Sequence, residues 1–406
     1  MVLGTTLAAG AFLSCTYDYD AKLDSDADIL VVEGDIIVGG KTVVTLSKMH
    51  NFSEEGTSYV DAHEAWIEDE GGQIVSGPEI SYTAPVGTVS LNTESLSSDR
   101  SYRLCLRNLE NGDRYQTSLV RSGSSPRIDS LSIWVDPRIR DKNRDWSEEY
   151  FVNLMVSFHS DDSNPYFSVV YEGVWETESY ANTMYEYLPD LNAIVDGWKN
   201  PNRYCWVYDP RTTIPVSTES FSDNRMVDFV FNALSEHDRR LSACYRVDVS
   251  VYSVPEDSYR YQRNLDEISF PDGDLFTPTP SSMRGNIMKV GSPETPVLGY
   301  IGAATQEKMT LWVMGSEMYV YRTDPSIQRM LSTYTIGEGF EDYLKDNENW
   351  YDLYLRGYRP YEGIFSEGSM SMLPDYYSWI SSRCLDCMMQ SGATRIRPDY
   401  WPNNHF

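Results

Sequence analysis

The sequence predicts a mainly β protein: an N-terminal immunoglobulin-like β-sandwich, then a larger β-rich domain with a few short helices and a long irregular C-terminal tail. Three observations support this fold class. Short runs of β-branched and aromatic residues recur, glycine, asparagine and proline turn signals separate them, and no long helical period is present. A length of 406 residues is enough for two or three domains.

The start of the chain, MVLGTTLAAGAFLSC, predicts a signal peptide over residues 1–14 and a lipidated cysteine at Cys15. The run is apolar, uncharged and too short to span a bilayer, which takes ~20 residues. Ser14 is the small residue that cleavage before a lipidated cysteine requires. The run lacks the usual basic start of a signal peptide, so we expect the encoded protein to begin upstream of Met1. The alternative is a buried strand that starts at an ordinary cysteine.

The residues that follow Cys15 turn abruptly polar, and residues 15–28 predict an acidic tether. The sandwich is expected over residues 29–122, where apolar runs alternate with turn signals such as Asn111-Gly112. Residues 121–126 then form the best linker candidate because they combine Gly, Ser and Pro.

A second β-rich domain is expected over residues 127–322. Its clearest strand is Cys244–Tyr252, where apolar and polar residues alternate as in a sheet with one wet face. Pro255 followed by acidic residues predicts a helix over 255–265. Shorter helices are expected over 325–331, 340–344 and 375–383, and residues 323–406 are expected to pack on the second domain as a C-terminal extension.

Two aromatic clusters, one in residues 180–208 and one in residues 350–361, are the candidate contacts for a ligand or partner. Exposed aromatic side chains bind sugars or flat protein surfaces, whereas the alternative is that they pack sheet faces and long connections. The candidates are Trp198, Tyr204, Trp206, Tyr208, Trp350, Tyr354 and Tyr358.

The formal net charge of −28 argues against nucleic acid, which needs a basic face, and against electrostatic docking on anionic lipids. The five histidines form no metal-binding motif, and no nucleophile elbow, phosphate loop or dinucleotide fingerprint is present. We therefore predict no catalytic residues, no metal and no cofactor, apart from the covalent lipid at Cys15.

Cysteines predict one structural bond. Export places the chain in an oxidising compartment, where disulfides are the default, although metal binding and free thiols are alternatives. We expect Cys205 to pair with Cys384 or Cys387 and tie the tail to the second domain, with Cys244 as the next candidate. Cys105 lies in an apolar strand and is expected to be a buried thiol.

Several motifs resemble a family of Bacteroidota outer-membrane lipoproteins known as domain of unknown function 4249. They are the Gly285-Asn286-Ile287 turn, the strand 297–300, the Cys384-x-x-Cys387 pair and the ending Pro398-Asp-Tyr-Trp401. The chain departs from the family at Tyr204-Cys205-Trp206, where members often have two adjacent cysteines. In such lipoproteins an acidic patch after the lipidated cysteine resembles a surface-export signal, which Asp18 and Asp20 would supply here; an ordinary spacer is the alternative.

The resemblance implies a lipid-anchored outer-membrane protein, often encoded beside a TonB-dependent transporter, and no established activity. We expect a non-enzymatic, surface-exposed accessory or binding subunit of an outer-membrane β-barrel protein, such as a TonB-dependent transporter or an assembly complex. One alternative is a stand-alone adhesin that binds glycans or a host. A second is a hydrolase with a site between the β domains.

Overall fold

A computed structural model describes residues 29–48, 58–60, 63–77, 87–142, 145–221, 223–269, 285–315, 335–336, 350–368, 370 and 372–402. The predicted lipidation site Cys15 and the predicted export residues Asp18 and Asp20 lie outside the described residues. So do the helices predicted over 325–331 and 340–344.

Strands dominate the described residues, which confirms the mainly β prediction. The first eleven are β1 (Leu30–Glu33), β2 (Ile36–Ile37), β3 (Gly40–Lys48), β4 (Ser58–Tyr59), β5 (His63–Asp69), β6 (Ile74–Ser76), β7 (Thr88–Thr93), β8 (Tyr102–Asn108), β9 (Arg114–Thr117), β10 (Arg127–Lys142) and β11 (Asp145–His159). The others are β12 (Tyr166–Glu178), β13 (Glu186–Leu188), β14 (Ala193–Val195), β15 (Tyr204–Ser217), β16 (Arg225–Ser235), β17 (Cys244–Ser253), β18 (Ile287–Lys289), β19 (Val297–Leu298), β20 (Ala303–Met314), β21 (Thr335–Ile336), β22 (Tyr358–Ile364), β23 (Tyr376–Ser381) and β24 (Ala393–Thr394). The α-helices within these described ranges are α1 (Glu256–Ser269) and α2 (Trp350–Leu355).

The first sandwich consists of two five-stranded sheets. One has the order β19-β1-β3-β4 with β7 also paired to β3, and the other has the order β18-β9-β8-β5-β6. Alternating apolar residues such as Val44, Leu46, Leu104 and Leu106 face inwards and form one core between the sheets. Strands β18 and β19 come from residues 285–298, which the sequence boundaries place in the second domain. The first sandwich is therefore discontinuous in sequence.

The second sandwich packs the six-stranded sheet β2-β20-β17-β12-β15-β24 against the three-stranded sheet β10-β11-β16. Strand β17 lies near the centre, and its residues Tyr245, Val247, Val249 and Val251 are fully buried. Their alternation with Arg246, Asp248 and Ser250 is the pattern that the sequence predicts for this strand.

The chain crosses between the sandwiches at two neighbouring places, from β1 to β2 and from β19 to β20. β1 pairs with β19 in the first sandwich, and their continuations β2 and β20 pair in the second. The amide of Gly302 donates to Oδ1 of Asp35 at 2.8 Å, between the two pairs. The linker is also fixed, because the Ser124 amide donates to Oδ2 of Asp162 at 2.7 Å. The two sandwiches are thus joined by two neighbouring chain crossings as well as by the linker.

A third, smaller unit contains the β13–β14 hairpin, helix α2 and the sheet β21-β23-β22. The helix predicted over 375–383 is wrong, because this segment forms β23 at the centre of that sheet. Tyr376, Tyr377, Trp379 and Ile380 are all buried there, and such aromatic and β-branched residues favour strands. The helix predicted after Pro255 is confirmed as α1. Within the described residues, no helix has the length and apolar character needed to cross a membrane.

Candidate functional site

The two aromatic clusters of the sequence meet in one unit, although about 150 residues separate them. Tyr187 of β13 has its ring centroid 5.5 Å from that of Tyr354 in α2 and 5.8 Å from that of Trp379 in β23. Trp350 and Tyr358 pack on the same core, partly buried. We call this unit, formed by β13, β14, α2 and the sheet β21-β23-β22, the aromatic module. The candidate rings Trp350, Tyr354 and Tyr358 are therefore partly buried by packing within the protein.

The remaining candidate aromatics have different surroundings. Trp198 is half-buried beside Ile380 and Leu385, and Tyr204 lies under the guanidinium of Arg203 at 4.8 Å. Tyr208 is exposed.

Trp206 is unsuited to bind a ligand directly, contrary to expectation. It is only 6% exposed, because its ring packs edge-on against Trp401 with the centroids 6.4 Å apart. Trp401 lies between Trp206 and Trp312, and its indole Nε1 donates to Oε2 of buried Glu176 at 2.7 Å. The Pro-Asp-Tyr-Trp ending therefore packs on the second sandwich through Trp401 and attaches the tail to it.

A disulfide joins Cys205 to Cys387, which confirms the predicted bond and selects the second cysteine of the Cys-x-x-Cys pair. It ties β15 to the segment that follows β23. Cys384 and Cys244, the other candidates, are buried free thiols, as is Cys105. Burial raises the pKa of Cys105 and of Cys244 to about 12, so neither thiol ionises at neutral pH.

An open cleft lies along one side of the aromatic module, with a volume of about 440 Å³. One wall is the segment 182–185, which leads into β13, and the other is the segment 361–363 of β22. The hydroxyl of Thr183 ties the walls together: it donates to the carbonyl oxygen of Tyr361 at 2.9 Å and accepts from the amide of Tyr185 at 3.1 Å. Both walls come from the segments that the sequence singles out by their tyrosines.

The cleft combines two tyrosine rings with polar groups. Tyr185 packs edge-on against Tyr377 at 5.1 Å, and a Cβ atom on Gly363 would lie 2.8 Å from its hydroxyl. Glu362 is exposed and its amide donates to the Ser378 hydroxyl at 3.2 Å, which fixes the backbone beside the carboxylate. Burial raises the pKa of Tyr361, so its hydroxyl stays protonated and can donate a hydrogen bond.

Between β22 and β23, next to the cleft, the described residues 365–368, 370, 372 and 373 form what we call the apolar loop. Met370 and Met372 are 99% and 98% exposed, and Phe365 and Leu373 are also exposed. The base of the loop is closed by the Ser366 amide, which donates to Oδ2 of Asp375 at 2.6 Å. Sequence reasoning missed this feature, although the alternation of Ser with Met between Gly368 and Pro374 is an available signal. The hydrogen bond between Ser366 and Asp375 thus connects the two ends of the loop, while its large apolar side chains are exposed to water.

The junction between the sandwiches contains a carboxylate in an unusual environment. Burial raises the pKa of Asp35 to about 6, against the opposing effects of the Gly302 amide and of Arg211. The buried hydroxyl of Ser258 in α1 lies beside Gly302. In the part of the chain that the structure describes, no three His, Cys, Asp or Glu side chains are placed to hold a metal ion.

A family model described as domain of unknown function (DUF4249) matches residues 16–310, and the chain belongs to this family. The match covers the first sandwich, most of the second sandwich and the β13–β14 hairpin. It ends within β20, before α2, the apolar loop and β24. No curated protein matches the chain.

Proposed function

We propose that this member of the DUF4249 family is a surface-exposed lipoprotein of the Bacteroidota outer membrane, anchored through Cys15. It acts as a non-enzymatic accessory or binding subunit of an outer-membrane β-barrel protein, such as a TonB-dependent transporter. The observation that carries the proposal is the apolar loop, because its large apolar side chains are exposed to water in the single chain.

The loop has the chemistry of a protein contact. Neighbouring exposed apolar residues are uncommon on a chain that works alone, and they mark sites where another surface covers them. Methionine suits such a site because its unbranched side chain adapts to irregular surfaces. Burying Met370 and Met372 in a partner would contribute roughly 1.5–3 kcal/mol each.

The anchor makes a contact of this size sufficient. A lipid at Cys15 would confine the protein and its partner to one membrane, which raises their effective concentration and strengthens a modest interface. The net charge of −28 favours a neutral or basic protein surface over anionic lipid headgroups as the target of the loop.

Gentle detergent extraction of the tagged full chain from its own cells tests the proposal. A β-barrel protein should be recovered with the wild-type chain and lost with the double variant Met370→Ser/Met372→Ser. Leu191→Ser is the matched control, because Leu191 is 71% exposed in the β13–β14 turn of the same module. Recovery of the wild-type chain without a barrel protein, or equal recovery with the double variant, would overturn the proposal.

A further inference from the structure

We infer that the cleft between residues 182–185 and 361–363 is a binding site for a neutral saccharide. The site shares no residue with the proposed partner contact, since its lining ends at Gly363 and the apolar loop begins at Phe365. Its volume of about 440 Å³ lies towards the lower end of the range for small-molecule sites, roughly 300–1,000 Å³.

Its lining has both halves of the chemistry that a sugar ring requires. The C–H faces of a pyranose are apolar and pack on aromatic rings, and two tyrosines, Tyr185 and Tyr361, are among the residues that line the cleft. The hydroxyl groups need donors and acceptors at the rim. The amide of Asn182 offers both, and the carboxylate of Glu362 accepts two or more hydrogen bonds.

The walls are held in place before any ligand binds. The Thr183 bridge fixes their separation, the edge-on contact with Tyr377 supports the ring of Tyr185, and the Ser378 hydroxyl holds the backbone of Glu362. Gly363 is required here, since a Cβ atom would overlap the ring of Pro374. A preformed site lowers the entropy that binding must overcome.

Charge excludes the main competing ligands. Among the described residues that line the cleft there is no lysine or arginine, while Glu362 contributes a negative charge, so phosphates and carboxylates would be repelled. The cleft is open along one side, which allows one or two rings of a longer chain to enter without threading an end. A neutral oligosaccharide satisfies both conditions.

Titration calorimetry on the purified full chain tests the inference with four probes: cellobiose, maltose, lactose and N,N′-diacetylchitobiose. We expect at least one to bind saturably, with a dissociation constant of roughly 0.1–10 mM. Glu362→Gln and Asn182→Ala should each weaken that binding by about tenfold. The first replaces a charged acceptor oxygen by an amide donor, and the second removes the side-chain amide. Glu186→Gln, which changes an exposed glutamate of β13 outside the cleft lining, should leave it unchanged.

Both cleft variants change exposed side chains, so their folding can be verified by thermal unfolding before titration. The inference is overturned if none of the four disaccharides binds saturably up to about 20 mM. It is equally overturned if the folded Glu362→Gln and Asn182→Ala variants bind as the wild type does. Loss of saccharide binding with retained recovery of a barrel protein would separate this site from the apolar loop.

Discussion

Asp35, at the junction of the sandwiches, makes the stability of the protein depend on pH. Its carboxylate accepts a hydrogen bond from the Gly302 amide. Because the carboxylate is buried, its pKa is about 6, above the ordinary 3.8. The folded protein therefore holds this proton more tightly than the unfolded chain does. The stabilisation is complete below about pH 4 and is lost as pH rises through about 6.

We predict that Asp35→Asn abolishes the loss of stability that the wild type shows as pH rises through about 6. Asparagine keeps an oxygen for the Gly302 amide and cannot ionise, so the variant should exceed the wild type in free energy of unfolding by about 1–3 kcal/mol at pH 8. At pH 4 the two should be nearly equal. Urea unfolding at both pH values measures the difference.

Asp69 provides the control of opposite sign. Hydrogen bonds from the amide of Gln73, then from Arg100 and the amide of Gly71, hold its pKa below the ordinary value. Its contribution is present at neutral pH and is lost as pH falls, so Asp69→Asn should destabilise the protein at pH 7. A stabilising effect of Asp69→Asn, or a pH-independent effect of Asp35→Asn, would contradict this assignment.

Individual strands were predictable where one residue pattern decides them. The alternation in β17 fixes which side chains are buried, because successive side chains of a strand point to opposite faces. The segment 375–383 was not predictable in this way, since Tyr-Tyr-Ser-Trp-Ile has no clear period and its burial on both faces comes from neighbouring strands. The pairing of β1 with β19 depends on residues about 270 positions apart, which no local pattern encodes.

The crossing from β19 to β20 depends on Gly299. Its φ of +111° is one that side chains other than glycine rarely adopt, and a Cβ atom would overlap the carbonyl oxygen of Val32. We predict that Gly299→Ala lowers the free energy of unfolding by about 3 kcal/mol or more, because strand separation adds to backbone strain. Thermal unfolding measures the loss.

Gly291 is the matched control for that substitution. Its φ of +86° is also positive, but nothing lies within 4 Å of the Cβ position. Gly291→Ala should therefore cost only the backbone term, about 1 kcal/mol. Equal losses for the two variants would show that overlap of the new Cβ atom with the Val32 carbonyl oxygen does not contribute to the loss of stability in Gly299→Ala.

The candidate site exists only in the whole molecule. Its two walls are about 180 residues apart in sequence, and the tyrosines that line them are indistinguishable in sequence from those that form the core of the aromatic module. The sequence therefore indicates the right segments but selects the wrong residue in Trp206, whose burial depends on the distant Trp401. The methionines of the apolar loop alternate with serine, but this pattern alone does not reveal that their side chains are exposed.

Removal of the Cys205–Cys387 bond should loosen the attachment of the aromatic module to the second sandwich. The bond closes a loop with a sequence separation of 182 residues, and chain entropy assigns about 5 kcal/mol to a loop of this length. We predict that Cys205→Ser/Cys387→Ser lowers stability by up to that amount. Limited proteolysis should then cut the chain after β23 first. A variant that keeps the stability and protease resistance of the wild type would rule out this role.

The discontinuous first sandwich also constrains the order in which the chain can fold. Its edge strands β18 and β19 are synthesised about 170 residues after β9, so the growing chain cannot complete this unit until Leu298 has been added. Until then β1 and β9 each keep one side without a strand partner, where another chain could pair. The early part of the protein thus passes through a period during synthesis in which a chaperone would have most effect.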